Sequence, residues 1–212
     1  MMNSGHVKGY LLNQSIISNI QNKLEKLINN NLLFAVGDGN HSLASAKLCY
    51  LENKNELSRY ALVEVVNLYS DALTFKAIHR LLFNTDYDEF IKELNNYYEI
   101  SEEEIGQKFR IITSKIDKTF YIKNPKSNII VGSIQEFLDE YVKKHNTKID
   151  YIHGEENIKK LCNDNNIGIL FEPLKKEELF DTVIKDGVLP RKTFSMGEAD
   201  DKRFYLELRR IK

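Results

Sequence analysis

The sequence predicts an α/β to α+β fold, a mixed sheet with helices interspersed. Three observations predict it. Several segments carry apolar residues at helical spacing, short apolar runs of strand type lie between them, and the two kinds alternate along the whole chain with no repeat or Pro- or Ser-rich linker.

In chain order, Ile16, Ile17, Ile20, Leu24, Leu27 and Ile28 share one face, so residues 15–29 read as an amphipathic helix. Residues 32–36 form a short apolar run, read as a strand, and a helix follows from Ser42 to about Glu52. Residues 60–69 are apolar on both faces, the pattern of a strand inside a covered sheet, and a further strand is predicted over 74–78. The pattern then restarts. Phe90, Ile91, Leu94, Tyr97 and Tyr98 make a helical face; residues 108–113 and 119–123 make a hairpin; Ile134, Phe137, Leu138, Tyr141 and Val142 make another helical face. A helix over 156–163, a strand over 167–171 and a helix over 177–185 stopped by Gly187 come next, and the alternation of 203–209 predicts a last strand. The organisation expected is a strand-turn-helix region over 1–86 and an α+β region over 87–212 packing on it as one continuous globular unit.

Composition narrows the function. With Lys+Arg 30 against Asp+Glu 31 the chain has no net basic charge, so the usual driving force for non-specific nucleic-acid binding is missing. No apolar run reaches the roughly 20 residues of a membrane span, and the first residues lack the apolar core of a signal peptide. Cys49 and Cys162 are isolated in apolar-patterned helices, as expected of reduced core thiols. A cytoplasmic protein is the expectation.

The richest local signal is Gly37, Asp38, Gly39, Asn40 and His41, a glycine turn between an apolar run and an alanine-rich helix. Glycines let the backbone pass close to a ligand, and the free N–H groups of a helix N-terminus favour an anion. Asp38 and His41 add an acid/base pair or metal ligands at the same place. The same residues also suit plain structure, with Asn40 or Ser42 capping the helix.

Other candidates are more dispersed. Glu64 lies in the apolar run of 60–69, so a buried carboxylate is expected, either paired (for instance with Arg59 or Arg80) or with a raised pKa fit for a general base. His79 and Arg80 combine an imidazole with a guanidinium fork suited to phosphate, and His153 is placed at a strand-to-helix turn resembling that of His41. Arg191, Lys192, Thr193 and Ser195 form a loop dense in anion donors, which Phe194 and Met196 should anchor; it reads as a phosphate grip or as a solvated connection.

Taken together, G-D-G-N-H-S-L-A, R-Y-A-L-V-E-V-V-N, A-I-H-R-L-L-F, D-Y-I-H-G and G-V-L-P-R-K-T-F-S-M-G-E-A resemble the bacterial domain-of-unknown-function family numbered one thousand and fifteen. Members are typically longer, and this chain resembles their C-terminal half, which implies that a composite site can need a missing N-terminal half. The turn is also similar to the D-G-H-H-R motif of free-serine kinases in the ParB/sulfiredoxin-like superfamily, where the turn and following helix bind nucleotide phosphates. Asp38, Gly39 and His41 match that motif, whereas Asn40 and Ser42 stand where the kinases have His and Arg. Linkage of the family with serine-biosynthesis genes suits a hydroxy-amino-acid substrate.

The expected function is therefore binding of a phosphorylated small molecule, with ATP or ADP and Mg²⁺ as cofactors and phosphoryl transfer to an acceptor such as serine. Asp38 would hold the metal or orient the acceptor, His41 would donate to phosphate, and Glu64 is the candidate base. Gly37, Gly39, Asn40, Ser42, His79, Arg80, His153, Arg191 and Lys192 would line the ligand. A non-catalytic sensor domain is the alternative, and a DNA-binding or nuclease role is argued against by the charge.

Overall fold

In the computed structural model the residues described are 8–197. The elements are α1 (Gln14–Glu25), α2 (Asn40–Glu52), β1 (Phe75–Phe83), α3 (Tyr87–Tyr97), β2 (Ile100–Ser101), β3 (Gln107–Ile112), β4 (Asp117–Ile122), α4 (Ile130–His145), β5 (Lys148–His153), α5 (Glu155–Leu161), β6 (Ile167–Leu170), α6 (Lys176–Asp186) and β7 (Phe194–Met196). They fall into two compact units, Met1–Leu73 with Met196–Lys212, and Thr74–Ser195.

The second unit is built on a sheet of order β2-β4-β3-β6-β1-β5, with β7 also paired to β1. The β1–β5, β1–β6, β3–β6, β3–β4 and β2–β4 ladders are all antiparallel, so the class is α+β. Strand β1 runs to Phe83, beyond the expected end at residue 78. It is buried over most of its length because both of its faces are covered.

One face packs on α3 and α4. Phe90 and Leu94 of α3 and Ile134, Phe137, Leu138 and Tyr141 of α4 join Leu82, Phe109, Ile111, Ile122, Ile167 and Ile169 in a single cluster. Phe90 is fully buried, edge-on to both Phe137 and Tyr141 at centroid distances of 5.5 and 5.2 Å. The other face carries Leu81, Ile112 and Leu170 against Ile158 of α5. Local chemistry sets the helix ends. The Asp86 carboxylate accepts the Glu89 N–H at 2.9 Å to start α3, and α4 and α6 stop at positive-φ Asn146 and Gly187.

In the first unit α1 opens at Asn13, whose side chain accepts the Ile16 N–H at 3.0 Å. Neither α1 nor α2 has a buried residue. Here two sequence expectations are corrected. Residues 32–36 hold an isolated bridge from Leu32 to Asn29 rather than a strand, and 60–69 form no strand. An apolar run reports a segment's capacity to be covered, but a strand also needs a ladder partner for its N–H and C=O groups. Among the described residues neither run has one, and Leu62 and Val65 stand 72% and 62% exposed. The strand expected over 203–209 lies outside the described residues.

Candidate functional site

In the first unit the turn has the shape the sequence suggests. Gly39 adopts φ +80°, a left-handed conformation natural to glycine, and α2 starts at the next residue. The Asp38 carboxylate accepts the Gly39 N–H at 2.8 Å, which clasps the turn. The first helical bond runs from the Leu43 N–H to the Gly39 carbonyl at 2.9 Å. No side chain caps α2, and its first turn holds no acid, so neither Asn40 nor Ser42 plays the capping part open to them in sequence. The first N–H groups of α2 lie at this turn beside the Asp38 carboxylate, which stands at the positive end of the helix dipole. His41 is exposed in that first turn. A Cβ on Gly37 would fall 2.4 Å from the Met196 sulfur, so a side chain there would have to displace the thioether.

Glu64 is exposed and lies outside any strand, which corrects the expectation of a buried carboxylate. The apolar neighbours that would have desolvated it are themselves exposed, Val63 and Val65 each to 62%.

In the second unit the alternation of β1 sends the adjacent His79 and Arg80 to opposite faces of the sheet. His79, 6% exposed, accepts the Phe171 N–H on Nδ1 at 3.3 Å. Its pKa is lowered, first by burial and then by the nearby charges of Arg80, His153 and Arg110, with Glu155 opposing. His153 ends β5 and is exposed, its carbonyl taken by the Asn157 side chain at 2.8 Å. Arg110 makes a two-point bond to Asp117 at 2.5 and 2.6 Å and a third to Glu155 at 2.7 Å, so its donors serve the sheet surface.

Arg80 faces α4 and is fully buried. Its Nε donates to Gln135 Oε1 at 2.9 Å, one terminal nitrogen to the carbonyls of Ile78 at 2.7 Å and Lys192 at 2.9 Å, and the other to that of Arg191 at 3.4 Å. Tyr151, its cross-strand partner, lies under the guanidinium at 4.7 Å, and Phe171 at 5.5 Å. Burial lowers its pKa to about 10. Arg80, Arg191 and Lys192 thus come together around Tyr151. Sequence reasoning passed over Tyr151 and Gln135. Tyr151 had a faint signal, its place two residues before His153 on the same strand face; Gln135, one polar residue on a helix, had none.

The family described as "Protein of unknown function (DUF1015)" matches residues 2–141. The chain belongs to this family. No curated protein sequence matches it. A solved free serine kinase mutant in complex with AMP superposes with a TM-score of 0.55 at 17% identity, over 88% of this chain and 81% of that one. A C-terminally truncated SbnI from Staphylococcus aureus does so at 0.51 and 10% identity, over 89% and 78%. For a conserved hypothetical protein from Pyrococcus furiosus the TM-score is 0.48 at 17% identity, over 64% of this chain, which spans 61% of that protein. The family member thus shares its fold with the free serine kinase. No helix among its described residues is long and apolar enough to cross a membrane.

Proposed function

We propose that the turn at residues 37–42 binds the phosphate of a nucleotide, ATP or ADP, and that the protein transfers a phosphoryl group to a small hydroxy acceptor of the serine type. The observation that carries this reading is the start of α2, where a left-handed glycine leads into a helix that no side chain caps. That arrangement sits in a chain with the fold of a kinase solved with AMP. In this reading the N–H groups of Asn40, His41 and Ser42 cradle phosphate oxygens, and the exposed His41 imidazole donates to another. Asp38 is the sole carboxylate of the turn. One carboxylate together with phosphate oxygens is a common way of holding Mg²⁺, so Asp38 fits a metal that arrives with the nucleotide. The metal would neutralise charge on the phosphates. Asp38 alternatively orients the acceptor hydroxyl and takes its proton as that oxygen bonds to phosphorus and the bond to the departing nucleotide oxygen breaks.

The test is calorimetric titration of the full chain with ATP and ADP plus Mg²⁺, with and without serine, beside Asp38→Ala. Saturable binding lost in Asp38→Ala, with phosphoserine formed by the wild type alone, is the expected result. A folded wild type that binds neither nucleotide overturns the reading. A second reading, a sensor that binds without chemistry, is favoured by one observation: Glu64, the base expected from sequence, is exposed and lies outside any strand. Tight nucleotide binding without product under any acceptor would select it.

A further inference from the structure

The second unit holds a concentration of positive charge that its own residues leave uncompensated. Arg80 has no exposed surface, yet every acceptor it meets is neutral: one amide oxygen and three backbone carbonyls. The nearest carboxylate of the network, Asp139, is reached only through Gln135, whose Nε2 donates to it at 2.8 Å. A buried cation ordinarily has an anionic partner, because dipoles alone replace its lost hydration poorly.

Tyr151 separates this guanidinium from a second one. Its ring lies 4.7 Å from Arg80 Cζ and 5.2 Å from Arg191 Cζ, and its hydroxyl accepts the Arg191 Nε–H at 2.9 Å. Arg191 is therefore fixed by its Nε and its face. The terminal nitrogens, which carry most of the fork that matches an oxyanion, are left for another acceptor. Lys192 adds a third cation beside it. It is exposed and held at φ +59°, a strained conformation for a residue with a side chain. Its carbonyl is tied to Arg80, and Thr193 Oγ1 donates to the Pro190 carbonyl at 2.6 Å to close the turn. Among the described residues none of the three cations forms an ion pair.

We propose that the turn at residues 190–193 is a pre-organised anion clamp, in which Arg191 and Lys192 grip a phosphoryl or pyrophosphoryl group and Arg80 is the buried positioning residue that fixes both backbones. The clamp rests on its own unit's geometry and stands whether or not the turn at 37–42 binds a nucleotide. Loop flexibility does not explain the arrangement, since the backbone is bound from beneath and Arg191 is stacked. The strain at Lys192 is of the kind that persists where a ligand contact requires it.

The test is an NMR titration of the ¹⁵N-labelled full chain with pyrophosphate, following the Arg191 Nε–Hε and Lys192 amide signals. Saturable shifts at both are expected. Arg191→Ala and Lys192→Gly should each weaken binding about tenfold or more, the loss typical of one charge-assisted contact. Glycine accepts φ +59° freely, so Lys192→Gly removes the charge and keeps the turn. Asp38→Ala should leave the pyrophosphate affinity at these signals unchanged. In Arg80→Lys the free Arg191 signal should broaden and return to its wild-type position at saturating pyrophosphate, a rescue that a purely structural defect would not show. Absence of saturable shifts, shifts confined to residues 37–42, or unaltered affinity in both Arg191→Ala and Lys192→Gly would overturn the clamp.

Discussion

Replacing Arg80 by methionine keeps most of the side-chain volume and removes every donor. The carbonyl of Ile78 and the amide oxygen of Gln135 are left enclosed without their partner, whereas the carbonyls of Arg191 and Lys192 lie in exposed residues and can turn to water. Two enclosed acceptors at about 1–3 kcal/mol each give roughly 2–6 kcal/mol. Loss of the two ring contacts adds to this, and release of a buried charge subtracts, so a net destabilisation of about 3 kcal/mol is expected. For a protein of this size that lowers Tm by roughly 6–12 °C. Differential scanning calorimetry at neutral pH measures it, with urea unfolding as a check on cooperativity. A variant as stable as the wild type would overturn this account of Arg80. It would mean that the guanidinium costs as much to bury as its bonds return, and that Arg80 is kept for something other than holding its surroundings.

Two further outcomes follow from the second unit. Phe90→Ala empties a fully buried ring site between Phe137 and Tyr141, and should cost about 3–5 kcal/mol, read as a lower urea midpoint at an unchanged slope. His79 has a folded pKa below its unfolded value near 6.5, so the unfolded chain takes the proton first. Stability should therefore fall as pH drops below about 6.5 toward the folded pKa, and the difference between wild type and His79→Asn should vary over that window alone, as followed by thermal melts across pH. A difference flat between neutral and acid pH would show that His79 binds its proton equally well in the folded and unfolded chains.

The second unit was largely legible from sequence because its elements satisfy local and long-range rules together. The spacing of Phe90, Leu94, Ile134, Phe137 and Leu138 placed α3 and α4, and each faces a sheet that buries it. The β3–β4 hairpin was readable for the same reason. The first unit shows the limit of such reading. Residues 60–69 carry the pattern of a covered strand, yet pairing depends on a partner that no local pattern names. For the candidate site, the glycine turn was legible because conformation and helix start are written in consecutive residues. The Arg80 cluster was not. His79 and Arg80 are neighbours in sequence and read as one site, but strand geometry sets them on opposite faces. The partners Gln135, Tyr151 and Lys192 reach Arg80 from three distant segments.

The order of the sheet has a consequence for how the chain is made. Its central ladder joins Arg80 to Ile169, and β3 reaches the sheet only through β6. The hairpin between β3 and β4 closes over a short loop, whereas β6, the strand that links it to β1, is made only after α4, β5 and α5. Until Leu170 has emerged, β1 is an apolar segment without its inner neighbour. The nascent chain therefore carries that exposed edge while α4, β5 and α5 are made, and the closure of β6 between β1 and β3 is the step at which crowding or a chaperone would decide yield.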